Sequence, residues 1–395
     1  MKILSVAWTI YDDRLTEFCT NCTGGGLVIK NLCEYIGKKE ESYLFIGKYK
    51  LPEMMLGNIH IVGNDIVYKE EYCHSDANEA RLQEMTMAFK RSIENIRPDV
   101  VNIHGIGEFA IRCINICREY NIPYAFVEHL FIGKNKKFKG YDKDVIWEEK
   151  LYSIQNLNII AVSTGMKKKI LDFHPNIKES NIHVIKNGTN FCAQSVESTL
   201  KEKYCLNQKK VLLCVGTITE RKNQLQIVST FQLLPQKIKD NVIVIFCGVD
   251  RMKGKFQEAI LAAGLERQLI YVGAVSSDEM KKFYSIANGL IMPSYAEGLS
   301  IAALETIAYG LPLIMFSDSE CAEDLNDSKV SILSKTRKNQ ELANAIISWY
   351  ENDWDREYIK NFSQKFTLEK MADEYIRMNK KLIEDIKYAH SICNI

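Results

Sequence analysis

Short apolar runs alternate with longer helical segments along the whole chain, and this alternation restricts the fold more than any other feature. "KILSVAW", "SYLFIG", "DVVNIHG", "IPYAFVEH", "LNIIAVS" and "IHVIKNG" are short, apolar and rich in β-branched or aromatic residues. Asn78 to Ile96 and Phe109 to Tyr120, between such runs, carry helical periodicity. The series restarts at "KKVLLCVGT" and continues through "NVIVIFCG", "QLIYVGA", "GLIMPS" and "LPLIMF". A strand that is apolar throughout is buried on both faces, and parallel strands joined through helices bury it so. The expected fold is α/β, with two Rossmann-like doubly wound domains. At 395 residues and 46% hydrophobic content the chain has room for two cores, because a single core stops growing at about 250–300 residues.

The polar stretch Gln194 to Lys210 reads as the linker. This sets an N-terminal domain over 1–195 and a C-terminal domain over 205–370. A helical stretch over 371–395 follows, its packing partner open, the N-terminal domain among the choices. Many unusual residues follow strand ends: Gly24-Gly25-Gly26, His104-Gly105, Glu128-His129, Ser163-Thr164 and Asn187-Gly188, then Gly216-Thr217, Gly248, Gly273 and Ser294. Open parallel sheets bind ligands at the carboxyl ends of their strands. Two domains presenting those ends to each other would enclose a deep cleft.

Composition excludes several functions. The net charge of +1 argues against a general nucleic-acid surface. No run of about 18 uncharged apolar residues is available to cross a membrane. The apolar run in "MKILSVAWTIYDDR" is too short for a secretory start, so the twelve cysteines are expected as reduced thiols in the cytoplasm. "CTNC" at Cys19 to Cys22 has metal-like spacing, but no second ligand pair follows at zinc-site distance.

Two stretches carry chemistry. In "SYAEGLSIAALETIAYGLPLI", a helix from Ser300 is stopped by Gly310 and Pro312. At 100° per residue, Glu305, Thr306 and Tyr309 share one narrow stripe. That stripe is either solvated or turned to a ligand, where Glu305 accepts hydrogen bonds from vicinal sugar hydroxyls. Glu297 lies just before the helix, where free N–H groups favour anions, and Gly298 permits close approach of the backbone. In "VGTITERKNQLQ", a strand ends at Gly216 and Asn223 is placed to cap the next helix. Arg221 and Lys222 precede that helix and suit a diphosphate; the alternative is a solvated basic loop.

E-x7-E with "EGLS" after a strand, preceded by G-T-x3-R-K-N, resembles glycosyltransferase family 4, of the GT-B fold. "GGG" at Gly24 resembles the family's N-terminal Gly-Gly loop, and "DVVNIHG", "IPYAFVEH", "IIAVSTGMKKKI" and "IHVIKNGTN" resemble its other segments in order. The resemblance implies a retaining transferase that uses a nucleotide-diphosphate sugar, a UDP-sugar being favoured and no cofactor expected. Because Asp142 and Asp144 sit among lysines and the cysteine pair stands alone, catalysis is expected to need no divalent metal. It implies donor contacts at Glu305 (ribose), at Gly216 and Thr217, at Gly25 and Gly26, and at the backbone of Gly298, Leu299 and Ser300. It implies that Glu297 meets the transferred sugar and that Lys222 offsets the departing diphosphate. Thr217 stands where many members carry arginine, which leaves that role to Arg221. Asn102 replaces a histidine often found before "HG", leaving His104. That residue reads equally as a satisfied histidine at a strand end. His129 is expected at the acceptor or sugar. The implied acceptor is a glycan or a lipid-linked sugar, in surface-polysaccharide synthesis.

Three rival readings are weaker. A dinucleotide site at Gly24-x-Gly26 fails because Ile29 stands where a third glycine is needed and no acidic residue ends "SYLFIG". "DKD" at Asp142 to Asp144 resembles a metal-binding triplet but lies in a lysine-rich segment that reads as a solvated loop. A non-catalytic homologue acting as a binding or chaperone subunit would tend to lose the carboxylate pair or the lysine, and Glu297, Glu305 and Lys222 are all present. The basic, aromatic segment Lys134 to Lys143, with Lys167 to Lys169, suggests peripheral contact with an anionic membrane.

Overall fold

The computed structural model describes residues 1–15, 24–48, 50–66, 75–133, 142–190 and 199–393. Cys19 and Cys22, most of Lys134 to Lys143, and part of the expected linker lie outside them. The chain forms two compact units, one from the described residues of Met1–Lys134, Gly140–Gly188 and Thr367–Ile395, the other from Thr189–Phe366.

The first unit is built on strands β1 (Lys2–Ala7), β2 (Glu41–Ile46), β3 (Met54–Leu56), β4 (Ile59–Ile61), β5 (Val100–His104), β6 (Tyr124–Glu128), β7 (Ile159–Ala161) and β8 (Ile182–Val184). Its helices include α1 (Gly24–Ile36), α2 (Ser75–Ile96), α3 (Glu108–Glu119), α4 (Asp142–Tyr152) and α5 (Thr164–Phe173). The sheet order is β3-β4-β2-β1-β5-β6-β7-β8. Every pairing is parallel except β3 with β4. That antiparallel edge escaped the sequence reading because each strand has only three residues, too few to show a period.

The second unit holds α6 (Leu200–Lys203), then β9 (Lys210–Val215), α7 (Leu225–Gln232), α8 (Gln236–Asn241), β10 (Val242–Cys247), α9 (Lys255–Ala262), β11 (Leu269–Gly273), α10 (Ser277–Ile286), β12 (Gly289–Met292), α11 (Ile301–Ala308), β13 (Leu313–Phe316), α12 (Ala322–Leu325), β14 (Ser331–Ser334), α13 (Asn339–Glu351) and α14 (Arg356–Ser363). Its parallel sheet has the order β11-β10-β9-β12-β13-β14. Both sheets are doubly wound, and the apolar strands are buried as their composition demands: all six residues of β10 are buried. The core of this unit gathers Val244, Phe246, Phe256, Ile314 and Trp349.

The expected linker contains α6 and ends where β9 begins, so less of it is irregular than its polarity suggested. The terminal helix α15 (Leu368–Cys393) belongs to the first unit, where it packs on α1 and β5. Met371, Ala372, Tyr375, Ile376 and Leu382 on it are buried. Among the described residues, the chain passes between the units at Gly188/Thr189 and at Phe366/Thr367. A Cβ at Gly188 would strike the Thr367 backbone, which is why only glycine fits there.

Two local expectations are corrected. Gly25 and Gly26 stand in the first turn of α1 rather than in a loop. Asp142 to Asp144 open α4 rather than a solvated loop, and burial raises the Asp144 carboxyl above its ordinary value.

Candidate functional site

The loop after β9 is set by its own side chains. Gly216 has φ +133°, and a Cβ there would come within 3.3 Å of the Lys222 side chain, so glycine makes room for the lysine. Ile218 is fully buried. Gln224 clamps the turn from within, donating to the Thr217 carbonyl at 3.1 Å and accepting the Thr219 N–H at 3.3 Å. The Thr219 hydroxyl accepts the Lys222 N–H at 3.2 Å. Asn223 does not cap α7. It adopts φ +57°, and its amide donates to Gln226 Oε1 at 2.5 Å and the Pro293 carbonyl at 3.3 Å. The N-cap position is Gln224, without a side-chain cap bond.

This loop is tied to the segment that leaves β12. The Arg221 carbonyl accepts the Tyr295 N–H at 2.9 Å, and its guanidinium donates to the Ala296 carbonyl at 2.5 Å. The tie brings the two sequence motifs together. Lys222 Nζ stands 2.5 Å from Glu297 Oε1, and Arg221 Nη1 stands 3.5 Å from the same oxygen. Burial pushes the Glu297 carboxyl upward, but Lys222 and then Arg221 outweigh it and hold the group below its ordinary value. Arg221 and Lys222 are therefore not a solvated basic loop.

Glu297 has a second carboxylate beside it. Its backbone N–H donates to Glu320 Oε2 at 3.0 Å, and Glu320 is 2% exposed. Arg337 braces the same segment, bonding the Ser294 carbonyl at 3.0 Å and both oxygens of Asp318 at 2.8 Å. Gly298, Leu299 and Ser300 are buried, and Ser300 precedes α11 without a side-chain cap bond. The helix dipole leaves a partial positive charge at that end.

Glu305 lies on the second turn of α11 and accepts a hydrogen bond from Tyr284 Oη at 2.9 Å. Burial raises its carboxyl to about 7, against the opposing pull of that hydroxyl. Of the two readings of the stripe, the solvated one fails: Thr306 and Tyr309 are buried, Tyr309 stacks on Tyr284, and Glu305 alone of the three is only partly buried. Glu320, Arg337, Gln224 and Tyr284 were missed by the sequence reading. Glu320, Arg337 and Tyr284 come from other crossovers, where nothing local marks them; Gln224 lies inside the quoted motif, but only the folded turn shows that its amide clamps Thr217 and Thr219.

In the first unit, His104 ends β5 and His129 follows β6. Their rings stack with centroids 5.2 Å apart, and His104 Nδ1 lies 2.9 Å from His129 Nε2. Burial lowers both pKa values, His129 to about 4, so both rings are neutral at pH 7. His104 is not a satisfied histidine: its Nε2 is buried without a hydrogen-bond partner. Behind His129, the Glu128 carboxyl accepts from Tyr152 Oη at 2.6 Å and the Leu130 N–H at 3.2 Å. Glu148 accepts the N–H groups of Ile132 and Gly133, both at 2.7 Å. These two acids fix the backbone that follows the histidine. A Cβ at Gly25 would meet no heavy atom within 4 Å, so the start of α1 is open there.

Residues 197–366 match the family described as Glycosyl transferases group 1, and residues 24–191 match Glycosyltransferase Family 4. A glycosyltransferase of Methanocaldococcus jannaschii, described as uncharacterized, is 26% identical over 65% of this chain and 67% of its own. Sucrose-phosphate synthase from Thermosynechococcus elongatus superposes with a TM-score of 0.78 at 14% identity, over 98% of this chain and 100% of that one. Anabaena HepE, solved with UDP and glucose, gives 0.69 at 12% identity, over 96% and 100%. Both domain matches, in this order along two doubly wound units of GT-B type, lead to one assignment: the chain belongs to glycosyltransferase family 4.

Proposed function

We propose that this protein transfers a sugar, with retention, from a nucleotide-diphosphate sugar to a glycan or lipid-linked acceptor. The observation that carries the reading is the closure of Lys222 and Arg221 on the buried Glu297, beside the uncapped start of α11. Two cations and a helix terminus at one point suit a diphosphate, and fixed charges offset the departing group without reorganising. Glu297 then turns from the cations to the sugar when the diphosphate arrives. Glu305, poised near neutrality, accepts the ribose hydroxyls. In this front-face displacement the bond to the diphosphate breaks first, and the acceptor hydroxyl enters from the same side.

A UDP-sugar is the favoured donor, in keeping with the nucleotide bound to HepE. No divalent metal is required on this reading, because Lys222 and Arg221 supply the charge. The work belongs to surface-polysaccharide synthesis, the family's usual employment, at the cytoplasmic face of a membrane. No helix among the described residues is long and apolar enough to cross one.

The test is a panel of UDP- and GDP-sugars, scored first by protection against thermal unfolding and then by turnover with and without EDTA. Protection by one nucleotide series, with turnover unchanged by EDTA, is expected. Turnover that collapses in EDTA and returns with magnesium or manganese defeats the metal-free mechanism. Donor binding without hydrolysis or transfer would favour a binding subunit.

A further inference from the structure

β1 is the strand at which the first sheet changes direction, with β2 on one side and β5 on the other. Ligands of open parallel sheets gather at the carboxyl end of such a strand. The residue that leaves β1 there is Trp8, and its side chain is 42% exposed. It is nevertheless held. Its carbonyl accepts the Lys48 N–H at 3.0 Å. The Arg81 guanidinium, from α2, stands 4.8 Å from the ring centroid. Arg81 is only 6% exposed and donates to the Lys48 carbonyl at 3.1 Å. A buried guanidinium covering one face of an indole fixes the ring and leaves the exposure to the other face.

Among the described residues, the neighbouring strand end leaves space. The pairing of Val6 with Ile103 sets Trp8 level with Gly105 on the next strand. Gly105 has φ +89° and Gly107 has φ +144°, and a Cβ at either would meet no heavy atom within 4 Å. His104, the last residue of β5, and His129, just after β6, form the neutral pair beyond these glycines. An immobilised aromatic face, two glycines that leave space beside it and a neutral histidine pair on the neighbouring strand ends favour a flat, uncharged, hydroxyl-bearing ring.

We propose that the free face of Trp8 is the platform on which the acceptor's pyranose ring stacks, an assignment that rests on the glycosyl-transfer reading above. The C–H hydrogens on one face of a pyranose are polarised positive by the ring oxygens, and the indole face is negative. Arg81 lies buried behind the ring, so its donors do not face a diphosphate on the free side. The platform serves the acceptor sugar, not the nucleotide.

Saturation-transfer NMR with methyl glucopyranoside, methyl galactopyranoside, methyl mannopyranoside and N-acetylglucosamine reads the contact directly. UDP and GDP, tested in parallel, report the donor site independently. With wild-type protein, saturation is expected on the C–H protons of one ring face of at least one pyranoside. Trp8→Ala should lower that signal about tenfold, the worth of a good stacking contact, while Trp8→Phe keeps much of it. Trp8→Phe should unfold near the wild-type temperature and Trp8→Ala a few degrees lower, since it uncovers the buried Arg81 guanidinium; both should remain folded at the temperature of the measurement. No pyranoside signal with wild type, or an equal signal with Trp8→Ala, overturns the assignment. So does a loss confined to UDP or GDP, which would make the platform a nucleobase seat. If UDP and GDP fail with every variant while the pyranoside signal depends on Trp8, the donor reading falls and the platform stands.

Discussion

Glu297 is charged in a place where burial alone would protonate it. Removing one partner of a buried ion pair commonly costs about 3–5 kcal/mol, because the other charge is stranded. Arg221 remains 3.5 Å away when Lys222 is removed, so Lys222→Ala should stay folded. On the proposed mechanism it should lose on the order of a hundred- to a thousandfold in turnover. Lys222→Arg should recover only part, since a planar fork replaces a point charge. Unchanged turnover in Lys222→Ala would sink the diphosphate role. Glu305 gives a pH signature. Its carboxyl sits at about 7, and only the ionised form accepts from two hydroxyls. Donor affinity should rise with pH through about 7 in the wild type and stay flatter in Glu305→Gln. Titration calorimetry at several pH values decides it; parallel profiles would remove Glu305 from the donor site.

At the scale of elements, the same polar residues read differently once a neighbour is known. Helical rotation put Glu305, Thr306 and Tyr309 on one stripe of α11, but rotation does not say whether water or protein covers it. Tyr284 on α10 supplies the cover. Likewise, the sequence shows Glu128 beside His129 at the end of β6 but not what surrounds it. Burial first, and then Glu148, raise it to about 8, while Tyr152 and the Leu130 N–H bind its oxygens. Its folded pKa lies above its unfolded value of about 4.5, so between about 4.5 and 8 the native state holds a proton that the unfolded chain has lost. Stability is therefore fullest at the acid end of this window and falls as pH rises through it. Glu128→Gln should flatten that decline, by on the order of a few kcal/mol across the window. Denaturant midpoints at pH 5 and pH 8 give the measurement, and an unaltered difference would show that Glu128 does not titrate there.

At the scale of the molecule, the proposed membrane contact depends on the basic segments Lys134 to Lys143 and Lys167 to Lys169. Lys134 to Tyr141 lie outside the described residues. Lys167 to Lys169 lie on α5, where Lys167 pairs with Glu179 at 3.1 Å. Attraction to acidic lipid is worth about 1 kcal/mol per basic residue near the surface. Co-sedimentation with anionic vesicles should therefore exceed that with neutral ones and fall with salt. Equal recovery from both vesicles would dismiss the contact.

The sequence alone determined the fold class, because strands buried on both faces must be apolar throughout and their helical crossovers must be amphipathic; both patterns are local. It also marked Glu297, Glu305, Arg221 and Lys222, since carboxylates in an apolar stretch and paired cations before a helix stand out at close range. Tertiary structure alone decided what those residues touch. The pairing of Lys222 with Glu297 needs two loops 75 residues apart to meet at adjacent strand ends. The second carboxylate, Glu320, the brace Arg337 and the hydroxyl of Tyr284 arrive from other crossovers. The place of the terminal helix on the first unit, and the exposed indole held by a buried arginine, also follow from packing between distant segments, which no local period or motif records.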